Sequence, residues 1–293
     1  MMSFPSTAPG TRAPLIGVAL TLLAVLCFAV LDSSAKYLSQ HYPVAMVVWA
    51  RYAVHTLLML IAYAPARGRT LLHTRRPGRQ LLRALLLLSV TILFVSGLRF
   101  LPLAEATAII YLTPLLVTAL SVPLLGERVA RGTWIAILTG LAGVLIVVRP
   151  GGALLGWTVL LPLAAALCNS LYQILTRSFA GSENGTTTNF ITGLTGTVLA
   201  SLTLPWVWTT PTVAHAGLMI VLGCAGFGGH ALLIRAFEHA SPAVLGPLTY
   251  GQLAIATLLG FGVFGTLPDA ASFAGMALIV AGGLLVLLPR RAG

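Results

Sequence analysis

Two stretches decide how this chain is read: 97–126, GLRFLPLAEATAIIYLTPLLVTALSVPLLG, and 236–265, AFEHASPAVLGPLTYGQLAIATLLGFGVFG. They align without a gap at one offset (236 − 97 = 139), which puts Ala104 on Ala243, Tyr111 on Tyr250, Thr118 on Thr257 and Gly126 on Gly265. Working outward at the same offset, Gly17 falls on Gly156, Gly143 on Gly282 and Pro150 on Pro289. Each stretch holds an apolar run long enough to cross a hydrocarbon layer, which takes about 20 residues as a helix. The sequence therefore repeats a membrane-spanning unit.

Composition agrees. Of 293 residues 58% are hydrophobic and 8% charged, too little charge to clothe a soluble domain of this size. The apolar surplus faces lipid. Apolar runs fall at 15–38, 43–63, 81–101, 103–124, 131–148, 154–177, 187–208, 214–237, 242–265 and 271–288, so an all-α, polytopic membrane protein of ten transmembrane helices is expected. The repeats divide it into a tail at 1–14, a first unit at 15–150, a second at 151–289 and a tail at 290–293. Five spans per unit is an odd number, so the second copy enters the membrane inverted. Inverted repeats place a binding site at their interface near the midplane and permit alternating access by rocking. The first apolar run is too long to read as a cleaved signal peptide.

A formal charge of +11 would suggest nucleic acid in a soluble protein, but here the basic residues flank apolar runs, and no nucleic-acid partner is expected. With the N-terminus inside, thirteen arginines lie on the inner side, among them Arg67, Arg69, Arg75, Arg76, Arg79, Arg83, Arg128 and Arg177. The outer side holds Lys36, Arg99 and Arg149, and Arg51 lies within a span. This positive-inside bias puts both termini in the cytoplasm. Cys27, Cys168 and Cys224 sit in apolar runs without CxxC spacing and read as packing residues, not as metal ligands or a disulfide. Asn184-Gly185-Thr186 matches a glycosylation sequon but falls in an inner loop.

Ionisable groups inside a membrane are costly and mark function by default. Asp32 and Lys36, one turn apart in span 1, could pair with each other. Arg51 and His55, with Tyr52 beside them, lie in span 2, Arg51 about 12 Å from its start at 1.5 Å per residue. Arg51 needs a partner there, either Asp32 or a substrate carboxylate. Span 6 carries Asn169, Tyr172, Gln173 and Thr176 at i, i+3, i+4 and i+7, one polar stripe on an apolar helix, which lines a wet cavity or glues helices together. Ser89, Thr91 and Ser96 repeat that pattern more weakly in span 3. Tyr111 and Tyr250 are a repeat-related pair at mid-depth, where flat rings could stack on a solute. Pro114 and Pro247 beside them are hinge candidates. Glu105 and His230 join Asp32 and Lys36 as candidate coupling or gating groups.

Leu103-Ala104-Glu105-Ala106-Thr107-Ala108-Ile109-Ile110-Tyr111-Leu112-Thr113-Pro114, followed by Pro123-Leu124-Leu125-Gly126-Glu127-Arg128 and the Gly-rich span ending at Arg149-Pro150, resembles the EamA-type ten-helix members of the drug/metabolite transporter superfamily. Within it the chain looks most like YddG-type exporters of aromatic amino acids. Where many members keep a second Gly-Glu, this chain has Gly265-Thr266. The resemblance implies a central cavity from spans 1–4 and 6–9, with spans 5 and 10 peripheral, in a multi-pass protein of a bacterial inner membrane. Those two spans are rich in Gly and Ala and suit close helix packing or a homodimer contact.

The expected activity is secondary transport or facilitated export of small neutral or zwitterionic metabolites, amino acids including aromatic ones. A multidrug or nucleoside-type exporter of the same fold is the alternative. An intramembrane enzyme is disfavoured, because HExxH, GxSxG and P-loop motifs are absent and Asp32 has no acidic partner at its depth. No cofactor or metal is expected. Phosphorylated solutes would call for more cations at mid-depth than Arg51.

Overall fold

The computed structural model describes residues 12–127, 131–149, 156–179 and 182–287, and these are helical with no strand among them. The expected all-α, polytopic architecture is what the chain adopts. In order the helices are α1 (Arg12–His41), α2 (Val44–Arg67), α3 (Pro77–Phe100), α4 (Leu103–Ile110), α5 (Thr113–Leu125), α6 (Arg131–Val148), α7 (Leu160–Arg177), α8 (Gly185–Ser201), α9 (Leu204–Val207), α10 (Val213–His239), α11 (Pro242–Thr249), α12 (Gly251–Phe264) and α13 (Ala270–Leu287). Seven segments are long and apolar enough to cross a membrane, counting α4–α5 and α11–α12 as one each, and α6 and α13 are shorter apolar helices. The Thr-rich α8, of 17 residues, stands where the seventh of the ten expected passes falls. The N-terminal tail through residue 11, Arg128, the Pro150–Pro289 match and the C-terminal tail lie outside the described residues.

Local chemistry sets the boundaries. Proline stands where a helix begins and an N–H is not needed, ahead of α2 (Pro43) and at the start of α3 (Pro77). Asn184, the sequon residue, caps α8 by accepting from the backbone N–H of Thr186 and Thr187. The fourth and ninth passes both break in the middle. The fourth turns at Tyr111-Leu112, two residues before Pro114, and the ninth turns at Tyr250, three residues after Pro247. Pro114 cannot donate to the Ile110 carbonyl, and the Thr113 hydroxyl donates to that oxygen instead, at 2.6 Å. Both broken passes end alike. Gly126 (φ 69°) and Gly265 (φ 65°) adopt the left-handed conformation that favours glycine. Their N–H groups bond Val122 O and Phe261 O, and the next residues, Glu127 and Thr266, bond Ser121 O and Gly260 O, the Schellman closure.

The packing is nearly two-fold. α1 packs on α10 as α3 packs on α7, α2 packs on α10 as α3 packs on α8, and α5 packs on α7 as α12 packs on α1. α6 and α13 pack on each other through glycines, with Gly143 and Gly275 so close that a Cβ on either would lie 2.6 Å from the other's carbonyl oxygen. The small-residue faces expected to serve packing or dimer contact thus meet within the chain. One pair breaks the symmetry. α1 packs on α3, but α7 and α10, its repeat-related counterpart, make no comparable contact.

Candidate substrate cavity

The gap between α7 and α10 opens into a cavity of about 490 Å³, within the size range of small-molecule sites. Its walls come from α1 (Ala24, Val25, Phe28), the α4–α5 break (Ile110, Tyr111, Thr113, Pro114), α7 (Asn169, Gln173), α10 (Leu233, Phe237) and the α11–α12 break (Thr249, Gln252). Gln173, Leu233 and Phe237 lie near the C-terminal ends of α7 and α10. The cavity therefore runs toward the face on which α1 begins.

Hydrogen bonds organise the far wall. The Tyr111 hydroxyl donates to Thr249 O at 2.5 Å, with Gln252 Oε1 at 3.1 Å. The Gln252 amide donates to Asp32 Oδ2 at 2.8 Å. Asp32, itself buried, holds the Gln252 amide in one orientation at the break of α11–α12. On the near wall Asn169 Nδ2 reaches Thr113 Oγ1 at 3.4 Å. Backbone at a broken helix is tolerated at membrane depth where it lines such a cavity.

The opposite face is shut. Lys36 Nζ, buried in α1, donates to Leu98 O at 2.8 Å and Leu101 O at 2.6 Å, and lies 5.2 Å from the Phe264 ring centroid. It fills the otherwise open carbonyls at the C-terminus of α3, where a cation also complements the helix dipole. Glu105, buried in the first turn of α4, leaves Oε2 without a hydrogen-bond partner among the described residues. Near the same face Tyr42 OH meets His215 Nδ1 at 2.9 Å, and Trp49 donates to Ser201 Oγ at 2.9 Å.

The structure redistributes several residues singled out in the sequence. Asp32 pairs with neither Lys36 nor Arg51: the first is taken by backbone carbonyls, and Asp32 accepts from Gln252. The polar stripe of α7 splits. Asn169 and Gln173 face the cavity, while Tyr172 and Thr176 turn to α3 and bond Arg83. Tyr250 packs at a tilt against Tyr111 (centroids 5.0 Å apart, ring planes 37° apart) but does not line the cavity; it is buried against Gly283 with its hydroxyl unpartnered among the described residues. Pro114 lines the cavity and Pro247 does not. Arg51, Tyr52, His55 and His230 surround a separate, much smaller cavity, and the Tyr52 hydroxyl pairs with Thr91 Oγ1 at 3.0 Å.

Two residues escaped the sequence reading. Gln252 is the one amide of the ninth pass (α11–α12), the same signal used for α7. Arg83, assigned there to the inner loop, is buried in α3. It donates to Thr176 Oγ1 (2.7 Å), Thr192 Oγ1 (2.7 Å), Thr188 O (3.3 Å) and Tyr172 OH (2.5 Å), with its guanidinium 4.5 Å from the Tyr172 ring centroid. Arg51 is thus not the single cation at depth. The Glu127 of the Pro123-Leu124-Leu125-Gly126-Glu127 run pairs with Arg177 at 3.1 Å, tying the end of α5 to α7.

Broken passes, a one-sided cavity and near two-fold packing define a multi-pass helical membrane protein built as carriers are. Residues 15–149 match the EamA-like transporter family. Over nearly their whole lengths the chain is also similar to curated bacterial proteins. It is 25% identical to the S-adenosylmethionine uptake transporter of Rickettsia bellii (93% of each chain). It is 26% identical to the riboflavin transporter of Rhizobium johnstonii (98% of this chain, 95% of the relative) and 26% to the pseudopaline exporter of Pseudomonas aeruginosa (90% and 93%). A solved crystal structure shares the fold at a TM-score of 0.62 and 24% identity, covering 94% of this chain and 96% of that one.

Proposed function

We propose that the chain is a secondary carrier or facilitator that moves small neutral or zwitterionic metabolites by alternating access, and that amino acids with aromatic side chains are among its exported solutes. The observation that carries this reading is the broken symmetry: α1 and α3 are closed over one face while α7 and α10 are parted at the other. Inverted repeats exchange these two arrangements by rocking, so the observed state is open to the face bearing the start of α1, the cytoplasmic face by the arginine count.

The solute class follows from the wall. Phe28, Tyr111 and Phe237 offer ring surface, Asn169, Gln173 and Gln252 offer amides, and no charged side chain lines the cavity among the described residues. Rings and amides suit a flat, polar, uncharged or internally neutral guest. The names of the relatives give three different solutes and both uptake and export, so solute and direction rest here on the cavity. A thermal-shift screen of the purified protein over amino acids, nucleosides and cationic drugs tests this. Aromatic amino acids should stabilise it, and Asn169→Ala and Gln252→Ala should lose the effect. Stabilisation by cationic drugs alone, or shifts unchanged in both variants, would overturn the assignment.

A further inference from the structure

A second cavity, of about 20 Å³, lies between α2, α3, α8 and α10, lined by Arg51, Tyr52, His55, Asn189, Thr192 and His230 along with Leu87 and Gly193. It is separated from the larger one by the edge of Phe28, which lines the large cavity and meets His230 with ring centroids 5.1 Å apart. We propose that this is a binding site for one small monoanionic group, a carboxylate or a halide, with Arg51 as its principal ligand.

Charge carries the argument. A guanidinium at membrane depth is costly unless it is paired or its donors are filled, and two sit here. Arg83 is hydrogen-bonded, but only to neutral groups, and its Thr192 partner also faces the small cavity. Arg51 has no acceptor at all among the described residues; its contact is the Tyr52 ring, 5.8 Å away. Asp32, the acid at this level, lies within electrostatic reach of Arg51 but is engaged by Gln252 and is not in ion-pair contact with the guanidinium. The described ion pairs, Arg149–Asp269 and Arg177–Glu127, lie in loops or at helix ends.

Donor geometry agrees. His55, Asn189 and His230 make no hydrogen bond among the described residues, and they line the same cavity as Arg51. The space of about 20 Å³ exceeds the roughly 10–15 Å³ that one water requires, so it admits a small guest and no bulky one. A water would satisfy donors but bring no charge to two guanidiniums that touch no carboxylate among the described residues. An anion does both, with Arg51 and Asn189 donating to it.

A free anion would bind independently of the carrier reading; a carboxylate belonging to the transported solute would rest on that reading. The test is binding to the full chain in phosphatidylcholine nanodiscs, read as the thermal midpoint against sodium formate, sodium bromide and sodium gluconate at constant ionic strength. Formate should raise the midpoint saturably where the bulkier gluconate does not, and Arg51→Gln should weaken the apparent affinity by about tenfold or more. Asn189→Leu should weaken it as well, and serves if Arg51→Gln fails to fold. A response to bromide as well as formate identifies a free small-anion site. A response confined to carboxylates, with amino acids binding and their amides failing, identifies the solute's own carboxylate. Identical curves in all three salts, or a saturable response that survives both substitutions, would overturn the site. Because no transport is measured, this result stands whether or not the chain carries a solute, and counterflow in proteoliposomes tests the carrier reading separately.

Discussion

Lys36→Met replaces the ammonium that closes the far face with an apolar chain of similar length. The substitution removes two charge-assisted hydrogen bonds, to Leu98 O and Leu101 O, each contributing about 1.5–3 kcal/mol net. Taking the lower figure for both, the closed arrangement of α1 on α3 loses about 3 kcal/mol, and two carbonyls at the end of α3 seek water instead. At about 1.4 kcal/mol per factor of ten, the balance shifts roughly a hundredfold toward states open on that face. Ser39, fully buried and three residues beyond Lys36 on the same side of α1, is the place to read it. In a background lacking Cys27, Cys168 and Cys224, Ser39→Cys should react slowly with a membrane-impermeant maleimide applied to the outer face of right-side-out vesicles. Adding Lys36→Met should speed that reaction by one to two orders of magnitude, roughly the shift worked above. Equal rates in the two backgrounds, with the protein folded, would show that Lys36 does not hold the face shut.

Other substitutions probe the framework. Tyr250→Phe removes a buried hydroxyl without a partner among the described residues and should leave thermal stability unchanged or raised by up to about 1 kcal/mol; a clear loss would mean the hydroxyl is engaged. Gly143→Ala drives a Cβ against Gly275 O and Ile279 and should cost about 1–3 kcal/mol, while Gly262→Ala, which meets open space, should be neutral or slightly stabilising; unfolding curves of the two compare them directly. Arg149, and then the Ser272 backbone N–H, hold the Asp269 carboxyl well below the usual carboxylate range. Because the folded value is depressed, the pair's contribution is present above the unfolded value of about 4 and is lost as pH falls toward the folded one. The stability difference between wild type and Asp269→Asn should therefore be small, level near neutrality, and should shrink below about pH 4; a difference that grows on acidification would contradict the pairing.

The membrane class and the paired breaks at Tyr111 and Tyr250 are legible because long apolar runs and proline act locally, and because the repeat offset brings like residues together. The cavity is legible only in part. On α7 the stripe at i, i+3, i+4 and i+7 spans more than one neighbour, so a 3.6-residue period cannot tell that Asn169 and Gln173 look one way while Tyr172 and Thr176 look at α3. Arg83 lies four residues past Arg79 and passes for loop charge, and only the fold shows α7 and α8 wrapping it in hydroxyls. Gln252 obeys the rule applied to α7, that lipid cannot satisfy an amide, and so was readable. The partners of Lys36 were not, since they are backbone oxygens 62 and 65 residues away, and backbone leaves no trace in residue type. Asp32 shows the same limit: proximity in sequence favours Lys36 or a neighbouring span, but its partner lies 220 residues on.

The measurement that bears most directly on the carrier reading is counterflow in proteoliposomes loaded with an unlabelled aromatic amino acid and diluted into a labelled trace. A carrier with one site opening alternately to two faces should draw label in transiently, saturably and without an imposed ion gradient, and Gln252→Ala should slow it. Label that enters without saturation or dependence on internal solute, or that never enters for any metabolite stabilising the protein, would contradict alternating access through this cavity.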